Sequence, residues 1–302
     1  MGRCEDLLTG SLGASLKGRV QLIFTSPPFP LNRKKKYGNY TGEKYEAWLA
    51  GLSTLFSDLL RPRGSIVIEM GNAWIPGRPV QSPLALRALL RFLETPEAGL
   101  RLCQEFVCFN KARLPTPAQW VTVERIRVKD AFTRVWWMAK CDKPKASNRR
   151  VLQSYSPAMR KLLKRGAYNA GTRPSEHVIK PTSFLKDHGG SIPPNVIIVS
   201  NTNATDPYQT FCRLTKVRFH PARMPVRLAE FFISFLTQKG DLVLDPFAGS
   251  NTTGSVAAKL RRRWVSIEAD PVYAAASVAR FDRNKAQRLV QSAERNGNRT
   301  TP

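Results

Sequence analysis

The segment Thr25-Ser26-Pro27-Pro28-Phe29 follows a short apolar run at residues 20–24 and combines residue types suited to one kind of chemistry. Two consecutive prolines fix φ at both positions and remove both amide donors. What remains are acceptors, the Ser26 hydroxyl and the carbonyls of Ser26 and Pro27, with the Phe29 ring directly after them. A rigid set of acceptors beside a flat apolar face suits a planar ring carrying an exocyclic NH2 group. The acceptors take the amine hydrogens and the ring stacks on Phe29. The other reading of these residues is an ordinary Pro-Pro turn closing a strand.

A second loop, Asp245-Pro246-Phe247-Ala248-Gly249-Ser250-Asn251-Thr252-Thr253-Gly254, follows the run at 242–244 and leads into a helical pattern. Glycine lets a backbone turn tightly against a ligand, and helix N-terminal amides hold an anionic group. The spacing from Gly249 to Gly254 fits a phosphate-binding P-loop, but Ser255 stands where that loop needs a lysine. The dinucleotide fingerprint GxGxxG is also missing. Glu268, 19 residues beyond Gly249, stands at the end of the next strand-like run. An acidic side chain there accepts hydrogen bonds from ribose hydroxyls. The pairing fits a nucleoside without polyphosphate, and S-adenosylmethionine is such a ligand. Its carboxylate can use the loop amides and the helix start. Alternatively Glu268 shares a helix-capping role with Asp270, before Pro271.

Strands must deliver these loops and helices must receive them. Short β-branched runs lie at residues 20–24, 65–69, 104–109, 134–138, 242–244 and 264–267; apolar helical patterns lie at 45–60, 83–92, 226–236, 252–260 and 271–283. Their alternation predicts an α/β fold with a parallel sheet and helices on its faces. Trp136 and Trp137 lie in an apolar run and read as core. Residues 141–215 change texture, gaining Ser, Asn, Pro and Gly, and read as a loop-rich insert between body halves at 1–140 and 216–290. A basic helix near 156–165 and a strand at 196–200 are its clear regular pieces. Residues 291–302 lack apolar periodicity and read as a polar tail.

The 302 residues carry 48 Lys+Arg against 22 Asp+Glu, a net charge of +26. With 42% hydrophobic residues the chain can bury a core, which excludes disorder. No uncharged apolar run approaches the roughly 18–20 residues that span a bilayer, and no secretory leader is read at the start. Five cysteines without a CxxC pair read as free thiols in a reducing cytoplasm, with no zinc. The charge points to a polyanion, most simply nucleic acid. Arg33, Lys34, Lys35 and Lys36 form a run just after the first loop, and residues 141–219 hold 14 basic against 4 acidic residues. His177 and His188 read equally as surface residues or as DNA contacts of the insert.

With both loops in hand, the chain resembles the β group of bacterial DNA amino-methyltransferases, and more narrowly the PvuII-type cytosine-N4 methyltransferases of restriction–modification systems. The resemblance is carried by Thr25-Ser26-Pro27-Pro28-Phe29, the family's catalytic motif, by Asp245 through Gly254, its cofactor loop, and by Arg33-Lys34-Lys35-Lys36-Tyr37-Gly38-Asn39. Further support comes from Arg127-Val128-Lys129-Asp130, Val135-Trp136-Trp137, Gly189 through Asn195 and His220-Pro221-Ala222-Arg223. It implies a Rossmann-like, S-adenosylmethionine-dependent methyltransferase sheet, no metal, and an inserted target recognition domain. It also places His220, Pro221, Ala222 and Arg223 against the cofactor's methionine end. Arg33, Lys34, Lys35 and Lys36, with Arg149, Arg150 and Lys186 of the insert, would grip the phosphates of double-stranded DNA. A cognate restriction endonuclease would be a functional rather than physical partner, in a bacterial cytoplasm. Serine before the Pro-Pro pair implies cytosine-N4; an adenine-N6 enzyme on DNA or RNA and a catalytically silent DNA-binding protein are the alternatives. Cytosine-C5 chemistry needs a Cys after Pro, which the chain lacks. The family also has a strand and a Gly-Asp pair upstream of a segment like Glu5-Asp6-Leu7-Leu8. Met1-Gly2-Arg3 stand there instead, so either the native start lies upstream or the cofactor's adenine is held differently.

Overall fold

Thr25 and Asp245, from which the two loops depart, end neighbouring strands of one seven-stranded sheet. The structure, a computed structural model, describes residues 1–29, 40–199 and 206–297, so Arg33, Lys34, Lys35 and Lys36 lie outside the described residues. The chain divides into two compact units, one of Met1–Ala146 with Asn195–Pro302 and one of Ser147–Pro194.

The first unit's sheet contains β1 (Val20–Thr25), β2 (Leu60–Gly71), β3 (Arg101–Asn110), β4 (Phe132–Ala139), β5 (Val196–Val199), β6 (Leu242–Asp245) and β7 (Arg263–Ser266). Their spatial order is β7-β6-β1-β2-β4-β3-β5. β7, β6, β1 and β2 run parallel, β4 runs against both of its neighbours, and β5 runs parallel to β3. The antiparallel β3–β4 pair explains why no helical pattern separates those two runs, since such strands need no crossover helix.

All six residues of β1 are buried, as expected of a strand covered on both faces. Alternation sends Ile23, Ile66 and Ile68 to one face, under α3 (Gly42–Leu59) and α4 (Leu84–Leu93). Leu22, Phe24, Val67 and Val243 go to the other, under α7 (Val226–Leu236). The helices answer with buried residues at helical spacing, Tyr45, Leu49, Leu52, Phe56 and Leu59 on α3, and Leu228, Phe232 and Leu236 on α7. Each such side chain contributes about 1.5–3 kcal/mol by leaving water. Trp136 and Trp137 fall on opposite faces of β4, both buried, and the Trp137 indole N–H donates to Ser65 Oγ at 2.9 Å.

Elsewhere α1 (Cys4–Thr9) and α2 (Ser11–Leu16) precede β1, and α8 (Thr252–Lys259) follows the second loop. α6 (Pro207–Thr215), α9 (Pro271–Ser277) and α10 (Arg283–Gly297) share a third apolar cluster around Tyr208, Phe211, Ala276 and Val290. No helix among the described residues is long and apolar enough to cross a membrane.

The sequence expectations need adjustment in three places. The loop-rich unit is Ser147–Pro194, shorter than residues 141–215, because β5 hydrogen-bonds to β3 and α6 packs on α9. Residues 291–297 are not tail but the last turns of α10, where Ala286, Val290 and Ala293 supply an apolar stripe too sparse to read locally. The pattern at 271–283 breaks into α9, a 3-10 turn at Val278–Arg280 and the start of α10. Within Ser147–Pro194, α5 (Pro157–Arg165) starts at a Ser156 cap, whose hydroxyl accepts the Met159 N–H. It buries none of its residues.

Candidate active site

β1 feeds β2 on one side, while β6 feeds β7 on the other. The β1/β6 border is therefore a topological switch point, where a crevice opens at the strands' carboxyl ends. Both loops picked out in the sequence leave from this border. They are tied together at their roots: the buried Thr25 hydroxyl donates to Asp245 Oδ1 at 2.7 Å across 220 residues of chain. Asp245 Oδ1 also accepts the Phe247 N–H at 3.1 Å. Burial of this carboxyl raises its pKa to about 6.

In the first loop Pro27 is buried, and Ser26, Pro28 and Phe29 are half-buried. The Tyr45 phenol, from the first turns of α3, donates to the Pro28 carbonyl at 2.8 Å and so fixes the second proline. Phe29 lies against Gly71 at the end of β2; a Cβ there would stand 2.4 Å from Phe29 Cε2. Gly71 is thus a glycine by necessity of ring placement. The Ser26 side chain lies beside Glu69, also on β2, where it offsets a small part of the effect of that carboxyl's burial. Glu69 is buried, its carboxyl accepts from Thr133 Oγ1 at 2.8 Å, and burial pushes its pKa up. Sequence reasoning missed Glu69. Its signal was an acid inside the otherwise apolar run Ile66-Val67-Ile68-Glu69-Met70, which only a polar partner makes tolerable.

The second loop is a web of backbone contacts. Gly249 adopts φ +51°, and a Cβ there would lie 2.9 Å from His220 Cε1. Its N–H donates to Glu268 Oε2 at 2.8 Å, and Glu268 Oε1 accepts the Asp270 N–H at 2.9 Å. Glu268 therefore latches the loop. The capping of α9 belongs to Asp270, which accepts the Val272 and Tyr273 amides. Asn251, left-handed at φ +55°, caps α8 by accepting the Gly254 N–H at 3.1 Å and also accepts the Ser266 hydroxyl. A Cβ on Gly254 would meet Asn251 Oδ1 at 2.2 Å, so this glycine too is dictated by packing. Pro246, Ser250, Thr252 and Thr253 are buried.

Arg280, absent from the sequence reading and with its side chain only 4% exposed, braces this loop. Its guanidinium donates to the Ser250 carbonyl and to Thr252 Oγ1, and pairs with Asp206 at 2.7 Å. His220 stands over the loop edge-on to Tyr273, with ring centroids 4.8 Å apart. Its Nδ1 bonds to the Ala222 carbonyl and its backbone N–H to the Tyr208 hydroxyl. Burial lowers its pKa, against the pull of Glu268, so the neutral ring persists below its ordinary pKa. Pro221 and Ala222 are exposed, and Arg223 is half-buried.

The chain start closes one side. The Gly2 N–H donates to the Glu268 carbonyl at 3.2 Å, and Glu5 accepts the Trp48 indole N–H at 2.6 Å. Trp48 in turn packs edge-on against Phe247. Arg3, standing where the family's Asp would be, bonds to Glu5 and Tyr40. Arg149 and Lys186 are exposed and Arg150 half-buried, all within Ser147–Pro194.

The sequence model of a DNA methylase family, N6_N4_Mtase, matches residues 20–279. The type II methyltransferase M.PvuII of Proteus hauseri is 43% identical over 274 residues, covering 90% of this chain and 81% of the relative. The solved PvuII DNA methyltransferase (cytosine-N4-specific) superposes with a TM-score of 0.75 at 34% identity, covering 97% of this chain and 90% of the other. A DNA modification methylase of Thermus thermophilus, solved with S-adenosyl-L-methionine, shares the fold at a TM-score of 0.55 and 18% identity, over 96% of this chain and 93% of the other.

Proposed function

The chain belongs to the DNA methylase family of N6- and N4-methyltransferases, and on that basis we propose that it methylates the exocyclic N4 amine of a cytosine flipped out of duplex DNA, at one recognition sequence, with S-adenosylmethionine as methyl donor. The observation that carries this is the Thr25–Asp245 bond, which sets the amine-accepting loop and the nucleoside loop side by side. Serine at the head of the first loop favours cytosine over adenine, in line with the base named for the PvuII enzyme.

The residues around Gly249 fit the methyl donor. Glu268 uses one lone pair of each oxygen on backbone amides and keeps others for ribose hydroxyls. The first amides of α8 suit a carboxylate. His220, kept neutral, and Arg223 flank the methionine end. S-adenosylmethionine, when bound, supplies a methyl group activated by its sulfonium charge.

Extruding a paired base costs roughly a few kcal/mol. Phosphate contacts from Arg33, Lys34, Lys35, Lys36, Arg149, Arg150 and Lys186 help offset this, with Ser147–Pro194 as the target recognition unit. Ser26 Oγ and the carbonyls of Ser26 and Pro27 accept the two N4 hydrogens, drawing the nitrogen lone pair out of conjugation. The Pro28 carbonyl takes no part, being held by Tyr45. Glu69, beside Ser26, orients its hydroxyl. Phe29 stacks on the ring. The proton leaves to water after transfer, so no covalent enzyme intermediate is needed. The setting is a bacterial cytoplasm, where methylation shields host DNA from a restriction endonuclease reading the same sequence.

Sequencing a plasmid methylated by the purified chain, at modified-base resolution, tests the assignment. N4-methylcytosine at one short sequence is expected. N6-methyladenine, or no mark, would overturn it.

A further inference from the structure

The connection between β3 and β4, residues 111–131, brings the charge of Arg113 to bear on Glu69 and enters β4 beside the site. Gly71, on which Phe29 rests, pairs with Thr133 at the start of β4. The next residue, Asn72, donates from Nδ2 to Asp130 at 2.9 Å and accepts from Arg134 at 2.8 Å. Two residues before Asp130 stands Val128, 88% exposed, the most exposed of the chain's large apolar residues among those described. A two-residue span reaches at most about 7 Å, so Val128 lies within that distance of Asp130, which is bonded to Asn72 just beyond the sheet end from which the Ser26 loop departs.

Single exposed valines are common and need no explanation. Val128 differs in its mounting. Arg127 donates from Nε to the Pro79 carbonyl at 3.0 Å, and its backbone N–H bonds to the Trp120 carbonyl. Lys129 Nζ reaches the Lys111 and Arg113 carbonyls at 3.0 and 3.3 Å. Asp130 bonds through its backbone to Thr116 as well as to Asn72. Every neighbour of Val128 along this stretch of loop is tied down, and the valine is held out. Carbonyls orient the Arg127 and Lys129 side chains without cancelling their charge. Residues 111–131 carry five basic and two acidic side chains. A stiff apolar tip between two cations, beside a base-binding loop, is the equipment of a side chain that enters a base stack while its flanks meet phosphates.

We propose that Val128 is the wedge that enters the duplex at the position vacated by the flipped cytosine, with Arg127 and Lys129 on the adjoining phosphates. The inference rests on the base-flipping methyltransferase reading above. Its contribution is to the opened duplex alone: a base that is already unpaired does not need it.

The test uses a short duplex bearing the methylation site mapped on plasmid, with the target cytosine either paired to guanine or facing an abasic position. Val128→Ala should lower kcat/KM about tenfold on the paired duplex and leave the abasic one at the wild-type rate. Val128→Leu should retain activity on both. Cofactor affinity and Tm, measured alongside, should be unchanged. Equal losses on both duplexes, or no loss on either, would overturn the wedge while leaving the methyltransferase reading intact. A wild-type protein that methylates neither duplex would remove that reading and the wedge with it.

Discussion

Ser26 lies beside an acid that its own stretch of chain does not announce. Its hydroxyl lies beside Glu69 of the adjacent strand, close enough to favour that carboxyl's charged form slightly. Ser26→Ala should remove one hydrogen bond to a charged transition state, about 1.5–3 kcal/mol, which is roughly a 10- to 100-fold loss of turnover. Cofactor affinity, read by calorimetry, should not move, and full activity would refute the role. Asp245 allows a second prediction, concerning pH. Its folded pKa is raised to about 6 by burial, so the folded state favours the protonated form. Stability drawn from that proton is present below the ordinary carboxylate value and lost as pH rises to 6. Asp245→Asn, which cannot ionise, should therefore gain on wild type between pH 4 and 6, by up to about 3 kcal/mol, and hold a constant difference above. Urea midpoints across that range check it; a difference independent of pH would contradict it.

Among the elements, the second loop depends on what lies beneath it. Asn251, Glu268 and Arg280 each reach it from a different place, α8's own cap, the end of β7 and the turn after α9. Arg280 and Asp206 form a pair exposed by only 4% and 6%. Removing one member strands a buried charge. Arg280→Ala should cost about 3–5 kcal/mol of stability and weaken cofactor binding, since the Ser250 carbonyl and Thr252 hydroxyl lose their donor. A fully stable variant, or a destabilised one with unchanged cofactor affinity, would show that the brace does not set the loop. The elements themselves were largely legible. Residues 226–236 appear as a helix with the expected bounds, because its apolar spacing is local. The strand at 196–199 was legible as a strand but not as an edge of the main sheet, because pairing with β3 is not written in either segment.

Across the molecule the net charge of +26 acquires a distribution. The unit Ser147–Pro194 carries basic residues on a scaffold with little buried surface, as α5 shows. Such a unit suits contact with a polyanion better than independent stability. If Arg149, Arg150 and Lys186 meet phosphates, replacing each by glutamine should reduce the slope of log affinity against log salt by about 0.9 for every phosphate no longer neutralised. The methylated sequence should not change. An unaltered slope in the triple variant would place the phosphate-binding groups elsewhere on the chain.

Local order along the chain was enough to specify the alternation of strands and helices, the two loops, and the chemistry their residue types allow. Each of these rests on neighbours within a few positions, where propensity, periodicity and turn geometry act. Folding in three dimensions was needed to show that Glu69 lies beside Ser26, that Glu268 latches Gly249 and leaves the capping of α9 to Asp270, and that Arg280 braces the second loop. Those contacts join residues that are distant in the chain, and they exist because burial of two apolar faces fixes which strands lie side by side. An apolar pattern says which face of a strand is covered. It does not say which strand lies beside it.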